Sequence, residues 1–203
     1  MNTLLNVLAI LASAFAVLFI FIQLKRGGAT GTVFKAIASL MFVALGTAAL
    51  DSGTRAGLFV LFGLVLGLAG DILLGAYITG ADGEAPYLIG GIGVFAVEHI
   101  AVMTGATVAH GYDATKLIIA AVIGVVGAFA TVFTEKKMMK FEFGKFLIPS
   151  AFYAFILAMS IAYYVILTIG NPSFLPVPIG MAMFLISDLI LSAIFFGGKD
   201  KPI

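Results

Sequence analysis

The chain has 203 residues, of which 62% are hydrophobic and only 10% are charged. Soluble domains carry roughly a quarter charged residues, so this composition excludes a water-soluble globular domain and predicts a surface that faces lipid. The formal net charge of +1 gives no indication of nucleic-acid binding. The absence of cysteine excludes disulfides, thiolate nucleophiles and cysteine metal ligands.

Seven stretches are long and apolar enough to cross a bilayer, for which about 20 mostly apolar residues are needed. The first has no basic start and no clear small-residue cleavage site, so we interpret it as a helix rather than a signal peptide. The longest break is the charged run from Glu135 to Lys145. We predict an all-α, polytopic transmembrane helix bundle that forms a single domain over residues 1–203. The predicted spans are residues 2–24, 32–50, 56–77, 86–109, 114–133, 146–169 and 174–197.

Glycines in the third and fourth predicted helices indicate close helix packing, because a residue without a side chain lets two backbones approach each other. They are Gly63, Gly67 and Gly70 in the third helix and Gly90, Gly91 and Gly93 in the fourth.

Basic residues predict the orientation in the membrane, since cytoplasmic loops carry an excess of Lys and Arg. The opposite side holds only Arg55 and Lys116. We therefore expect a multi-pass protein of the cell membrane with its N-terminus outside and its C-terminal tail in the cytoplasm. The residues of the basic side are Lys25, Arg26, Lys136, Lys137, Lys140, Lys145, Lys199 and Lys201.

We single out five ionisable residues inside predicted spans, because a charge at the helix centre costs about 2.5 to 3.5 kcal/mol. Measured from the cytoplasmic helix ends, Lys35 is about 6 Å deep, Asp71 about 9 Å, Asp188 about 14 Å, and Glu98 with His99 about 18 to 20 Å. Similar depths predict one shared interior pocket, because a lipid-facing position would leave each group unpaired. The alternative is that Lys35 snorkels to the interface and pairs with one Asp only to specify folding. Two buried carboxylates exceed what one Lys can neutralise, which favours function for Asp71 and Asp188.

Neighbouring positions on a helix point about 100° apart, so Glu98 and His99 are not both expected to face one spot. His99 is the better pocket candidate, and His110 at a helix end is interpreted as a solvated loop residue. A metal site formed by Asp71, His99 and Asp188 is a weak alternative, because no HxxxH or HExxH pattern is present.

Tyrosines fall into two groups. Those at helix ends, Tyr77, Tyr87 and Tyr112, are typical of interfacial anchors. Those within the sixth helix, Tyr153, Tyr163 and Tyr164, favour ordinary packing, with one hydroxyl able to reach a carboxylate. Ser187 precedes Asp188 but no nucleophile elbow surrounds it, so it is interpreted as a helper or packing residue.

Three segments together resemble the YhhN-like lysoplasmalogenase family of membrane proteins. They are Gly67-Leu-Ala-Gly-Asp-Ile-Leu-Leu-Gly75, Gly93-Val-Phe-Ala-Val-Glu-His-Ile100 and Phe184-Leu-Ile-Ser-Asp-Leu-Ile-Leu-Ser192. The likeness follows nearly the whole chain in order and spacing. Lys35 falls where the family usually has Lys-Pro, but Ala36 replaces the proline, so the local helix start is expected to differ while the cation is kept.

Family members generally continue into an eighth helix with a Tyr-containing segment, whereas this sequence ends at Lys199-Asp-Lys-Pro-Ile203. We expect either a truncated chain or a member that works with seven helices.

The resemblance implies hydrolysis of the vinyl ether bond of lysoplasmalogens to a fatty aldehyde and a glycerophospho-ethanolamine or choline. One Asp would act as general acid and the other would stabilise the cation and orient water, the order being open. A carboxyl group buried in a low-dielectric region can stay protonated near neutral pH, whereas one beside a cation stays ionised. The predicted catalytic residues are Asp71 and Asp188, and the supporting ones are Lys35, His99, Glu98, Ser187 and Tyr153.

The predicted partner is a lysophospholipid that enters laterally from the bilayer, and no cofactor and no nucleic acid are predicted. Two other classes use buried ionisable residues. A small proton-coupled transporter or permease would favour inverted repeats and broken helices, neither of which is evident here. A scaffold protein would use the buried charges only to specify helix pairing.

Overall fold

The computed structural model describes residues 3–25, 28–50, 53–80 and 84–197. Within these residues there is no strand, and seven helices are long and apolar enough to span a membrane, which confirms the all-α polytopic fold. Helix ends differ from the predicted ones by at most four residues, and the largest difference is the earlier start of α2 at Gly28. The helices are α1 (Thr3–Lys25), α2 (Gly28–Ala49), α3 (Arg55–Ile78), α4 (Glu84–His110), α5 (Ala114–Phe133), α6 (Leu147–Gly170) and α7 (Pro176–Phe196).

The chain divides into two compact units, an N-terminal unit (Met1–Tyr112) and a C-terminal unit (Asp113–Ile203). In the N-terminal unit α1 packs on α2, α2 on α3, and α3 on α4. In the C-terminal unit α5 packs on α6 and α6 on α7. The assignment of residues 1–203 to a single domain stays a prediction. Arg26 of the predicted basic side, together with the tail from Lys199 to Ile203, lies outside the described residues.

Helix α3 packs on α4 through a face of small residues. A Cβ atom at Gly70 would lie 2.8 Å from the Phe95 ring, and one at Gly63 would lie 3.2 Å from the backbone oxygen of Glu98. Gly91 of α4 is approached in the same way by Leu74. The predicted close contacts of these glycines are confirmed, because any side chain would separate the two helices.

The prediction of close packing is wrong for Gly93, which lies on an exposed side of α4. A Cβ atom there would meet no atom of another described element within 4 Å. Gly90 makes only ordinary van der Waals contact with Leu73. Glycine content alone therefore does not tell which face of α4 meets a neighbour.

A second face of α3 meets α2. Thr32 of α2 lies against Gly75 of α3, and Leu64 of α3 lies against Gly46 of α2. Leu64, Asp71 and Gly75 follow one another at spacings of seven and four, so they share one side of the helix. Asp71 is thereby directed toward α2.

In the C-terminal unit the backbones of α5 and α6 approach closely at two glycines of α5. A Cβ atom at Gly124 would lie 3.1 Å from the backbone nitrogen of Met159, and one at Gly127 would lie 2.7 Å from Cβ of Ala158. Helix α5 then widens into a π-helical turn, Thr134–Met138, in which Met139 N–H donates to Thr134 O at 3.0 Å. The expected loop from Glu135 to Lys145 therefore begins as a continuation of α5.

Capping side chains and a glycine define the start of α3, the end of α4 and the start of α5. Thr54 accepts a hydrogen bond from Gly57 N–H at 3.1 Å and caps α3, and Gly111 ends α4 at a φ of +86°, where a side chain is disfavoured. Asp113 caps α5 by accepting from the backbone N–H groups of Lys116 and Thr115. The hydrogen bond from Lys116 N–H, with the Lys116 ammonium nearby, holds the pKa of Asp113 below its ordinary value.

Candidate intramembrane carboxylate sites

The N-terminal unit contains an ion pair between α2 and α3. Lys35 Nζ lies 2.8 Å from Oδ1 of Asp71, and the Ser39 hydroxyl donates a hydrogen bond to Oδ2 of the same carboxylate. Lys35 and Ser39 are one helical turn apart, so both side chains leave α2 on the side that faces α3. Lys35 lies seven residues from the start of α2 and Asp71 seven from the end of α3, which is about 10 Å along each helix.

Both oxygens of Asp71 are therefore held by donors from α2. The side chain of Asp71 is 13% exposed and that of Lys35 is 24% exposed, so the pair is only partly screened by solvent. An ammonium at this distance can make a charge-assisted hydrogen bond to the carboxylate. The expectation that Lys35 pairs with one Asp is confirmed, and the partner is Asp71.

Glu98 and His99 both lie in the interior of the N-terminal unit. His99 is 2% exposed on α4. The carboxyl group of Glu98 lies against Gly67 of α3, where a Cβ atom would be only 3.2 Å from Glu98 Cδ, and its Oε2 atom is buried. Gly67 precedes Asp71 by one turn, so the absence of a side chain there admits the Glu98 carboxyl to this part of α3. Both residues are therefore turned inward, and the expectation that they do not face one spot stays a prediction.

In the C-terminal unit Asp188 is joined to α6. The Tyr153 hydroxyl donates a hydrogen bond to Oδ2 of Asp188. Tyr153 lies six residues after the start of α6 and Asp188 eight residues before the end of α7, about 9 Å and 12 Å along their helices. The prediction that one hydroxyl of this helix reaches a carboxylate is confirmed for Tyr153, and packing alone, the interpretation favoured for this residue, is wrong.

The other tyrosines of α6 agree with packing. Tyr163 and Tyr164 are each 1% exposed, and their rings lie 6.1 Å apart, centre to centre. Ser187 is exposed on α7, about 100° around the helix from Asp188, and its supporting role stays a prediction. His110 is exposed at the end of α4, as expected.

One buried carboxyl group was not predicted. Glu135 in the π-helical turn is 4% exposed, and the Ser192 hydroxyl of α7 donates a hydrogen bond to it. Its neighbours Lys136 and Lys137 are exposed, which is why the segment resembles a solvated loop in the sequence. The signal that would have identified Glu135 is its spacing of eleven and eight residues from Gly124 and Gly127, which continues the side of α5 that packs on α6.

Among the described residues, no three His, Asp or Glu side chains converge in an arrangement that could hold a metal ion. The shared pocket containing Asp71 and Asp188 stays a prediction, and so do the catalytic roles of both residues.

Seven apolar spans, with an ion-paired carboxylate in one unit and a tyrosine-bonded carboxylate in the other, define a multi-pass membrane protein with polar groups inside its spans. A model of the YhhN family matches residues 30–202, which include every predicted site residue. The chain therefore belongs to the YhhN family. No curated protein and no solved structure matches the chain.

Proposed function

We propose that this protein is a membrane hydrolase that cleaves the vinyl ether bond of lysoplasmalogens. The products would be a fatty aldehyde and a glycerophospho-ethanolamine or choline. The proposal is supported by membership of the YhhN family and by the resemblance of its Asp-bearing helices to lysoplasmalogenases. It is also supported by two intramembrane carboxylates with different partners.

The chemistry requires an acid, an anion and a water molecule. Protonation of the β-carbon of the vinyl ether gives an oxocarbenium ion, and water adds to it with loss of a proton to form a hemiacetal. The hemiacetal then collapses to the aldehyde and the free glycerol hydroxyl. Buried carboxyl groups suit the roles of both the acid and the anion, because one carboxyl group can remain protonated while another stays ionised in the same protein.

The difference between the partners of the two carboxylates is the observation that carries the assignment of roles. Asp71 is bonded by the Lys35 ammonium and the Ser39 hydroxyl, so we assign it the anion that stabilises the oxocarbenium ion. Asp188 is bonded by the neutral Tyr153 phenol, and we assign it the general acid. In that state Asp188 carries its own proton on Oδ1, and its Oδ2 still accepts the hydrogen bond from the Tyr153 hydroxyl.

The substrate would reach the protein from the bilayer, because its single tail is already dissolved there. Four exposed lysines follow α5, namely Lys136, Lys137, Lys140 and Lys145, and they would attract the lipid phosphate.

The experiment is aldehyde release by the purified protein in lipid nanodiscs, using a lysoplasmalogen and, as control, the saturated alkyl lysophospholipid. We expect aldehyde from the vinyl ether and none from the saturated ether, because only the former can be protonated at carbon. Asp71→Asn and Asp188→Asn should each lower kcat by roughly 100-fold or more, as expected for loss of acid–base catalysis. Asp113→Asn is the matched control, since Asn also caps helices and this residue lies outside the spans. A wild-type protein without aldehyde release, or folded Asn variants at the wild-type rate, would overturn the proposal.

A further inference from the structure

Helix α7 carries two polar residues on one side, each bonded to a different element of the C-terminal unit. Asp188 is bonded by Tyr153 of α6, and Ser192, one turn later, donates to Glu135 at the end of α5. Residues four apart on a helix are neighbours on its surface. Asp188 therefore lies one turn of α7 from Ser192, the residue that is bonded to the carboxyl group of Glu135.

Glu135 is almost fully buried, with 4% of its surface exposed. The segment after the π-helical turn folds back, with Phe141 N–H donating to Glu135 O at 2.9 Å and Glu142 N–H donating to Phe196 O at 3.0 Å. The ring of Phe143 lies 4.6 Å from that of Phe196, centre to centre, and both rings are buried. These two rings lie where α7 ends, one turn beyond Ser192.

A carboxyl group in this position has a cost that packing alone does not explain. Burying an ionisable group is unfavourable unless it is well paired, and a glutamine would give Ser192 the same hydrogen bond without a charge to desolvate. Unlike an amide, a carboxyl group has a proton that it can release. The exposed residues beside Glu135, Lys136 and Lys137, are close to the water from which such a proton would come.

We propose that Glu135 is a positioning residue for the proton of Asp188, passing it through the Ser192 hydroxyl in the proposed hydrolysis. Asp188 gives its proton to the β-carbon of the vinyl ether and becomes a carboxylate. Ser192 then releases its hydroxyl proton toward Asp188 while accepting one from the Glu135 carboxyl group, and Glu135 is protonated again from cytoplasmic water. The proton lost by the attacking water leaves to solvent, so each turnover takes up one proton and releases one.

The test compares Glu135→Gln with Glu135→Asp and Ser192→Ala in the aldehyde assay. Glu135→Gln keeps the shape and the hydrogen bond to Ser192 but has no proton to transfer, so kcat should fall roughly 10- to 100-fold with KM and the melting temperature unchanged. Glu135→Asp should regain part of the rate, and Ser192→Ala should lose it. Glu142→Gln, an exposed carboxylate in the same segment, is the control and should match wild type. A Glu135→Gln variant with the wild-type kcat would overturn the inference and leave the proposed function intact.

A second measurement does not depend on turnover. Infrared difference spectra of the protein in H₂O and D₂O should contain the carbonyl band of a protonated carboxyl group that shifts on deuteration. The component of this band that belongs to Glu135 should disappear in Glu135→Gln and persist in Glu142→Gln, while the component of the protonated Asp188 remains in both variants. If the wild type releases no aldehyde, the proposed function fails, and this band still decides whether Glu135 holds a proton. Identical spectra for wild type and Glu135→Gln would show that it does not.

Discussion

Lys35 and Asp71 form an ion pair inside the membrane spans, and its contribution to the free energy of unfolding can be measured. Breaking a fully buried pair on one side costs about 3 to 5 kcal/mol. Because Lys35 is 24% exposed, we expect Lys35→Met to cost less, about 2 kcal/mol, from the loss of charge and hydrogen bond at Asp71. The double variant Lys35→Met/Asp71→Asn should regain much of this stability, since no charge is then left alone.

Thermal unfolding in detergent and aldehyde release are measured for the wild type, Lys35→Met and the double variant. If the pair serves only folding, the stabilised double variant should also regain activity. The proposed role of Asp71 requires that it stays inactive. A Lys35→Met variant as stable as wild type would contradict the ion pair itself.

At the residue scale the sequence predicted which groups are inside the spans, because intramembrane charges are rare and stand out. It left open which tyrosine of α6 reaches which carboxylate, since hydropathy does not determine how α6 and α7 are rotated about their axes. It also missed Glu135, because two exposed lysines follow it directly. The inward direction of Glu98 depends on Gly67 of another helix, which no local pattern encodes.

At the element scale, close backbone contacts hold α5 to α6. Gly124→Ala would place a methyl group 3.1 Å from the backbone of Met159, which cannot rotate away, so we expect a loss of roughly 1 to 3 kcal/mol from overpacking. Gly93→Ala on the open side of α4 is the matched control, and it should be neutral or slightly stabilising because Ala favours helix. The melting temperature of Gly124→Ala should be lower than that of Gly93→Ala. Equal decreases in melting temperature would contradict the packing described for Gly124.

Helix ends were predicted to within four residues because glycines, caps and charges interrupt the apolar runs. The π-helical turn was not, since a wider turn keeps the same composition as the helix that it extends. The faces of α3 were partly predictable. Its glycines indicated close contact, but which neighbour each one meets follows from the three-dimensional packing.

At the scale of the whole molecule, the number of spans follows from hydropathy, whereas the orientation rests on the distribution of Lys and Arg and stays a prediction. The chain contains no cysteine, so single cysteines can report the two sides. Tyr112→Cys, between α4 and α5, should react with a membrane-impermeant maleimide in intact cells. Lys137→Cys should react only after the membrane is opened, and both native residues are exposed. The reverse labelling pattern would place the N-terminus in the cytoplasm.

The central claim is that a carboxyl group of this protein protonates the β-carbon of a vinyl ether. The most direct measurement is mass spectrometry of the aldehyde released in D₂O, trapped quickly as a stable derivative. Wild-type protein should give an aldehyde with one deuterium at C2, and Asp188→Asn should give none above the uncatalysed background. Aldehyde without deuterium at C2, or undiminished release by Asp188→Asn, would contradict the account.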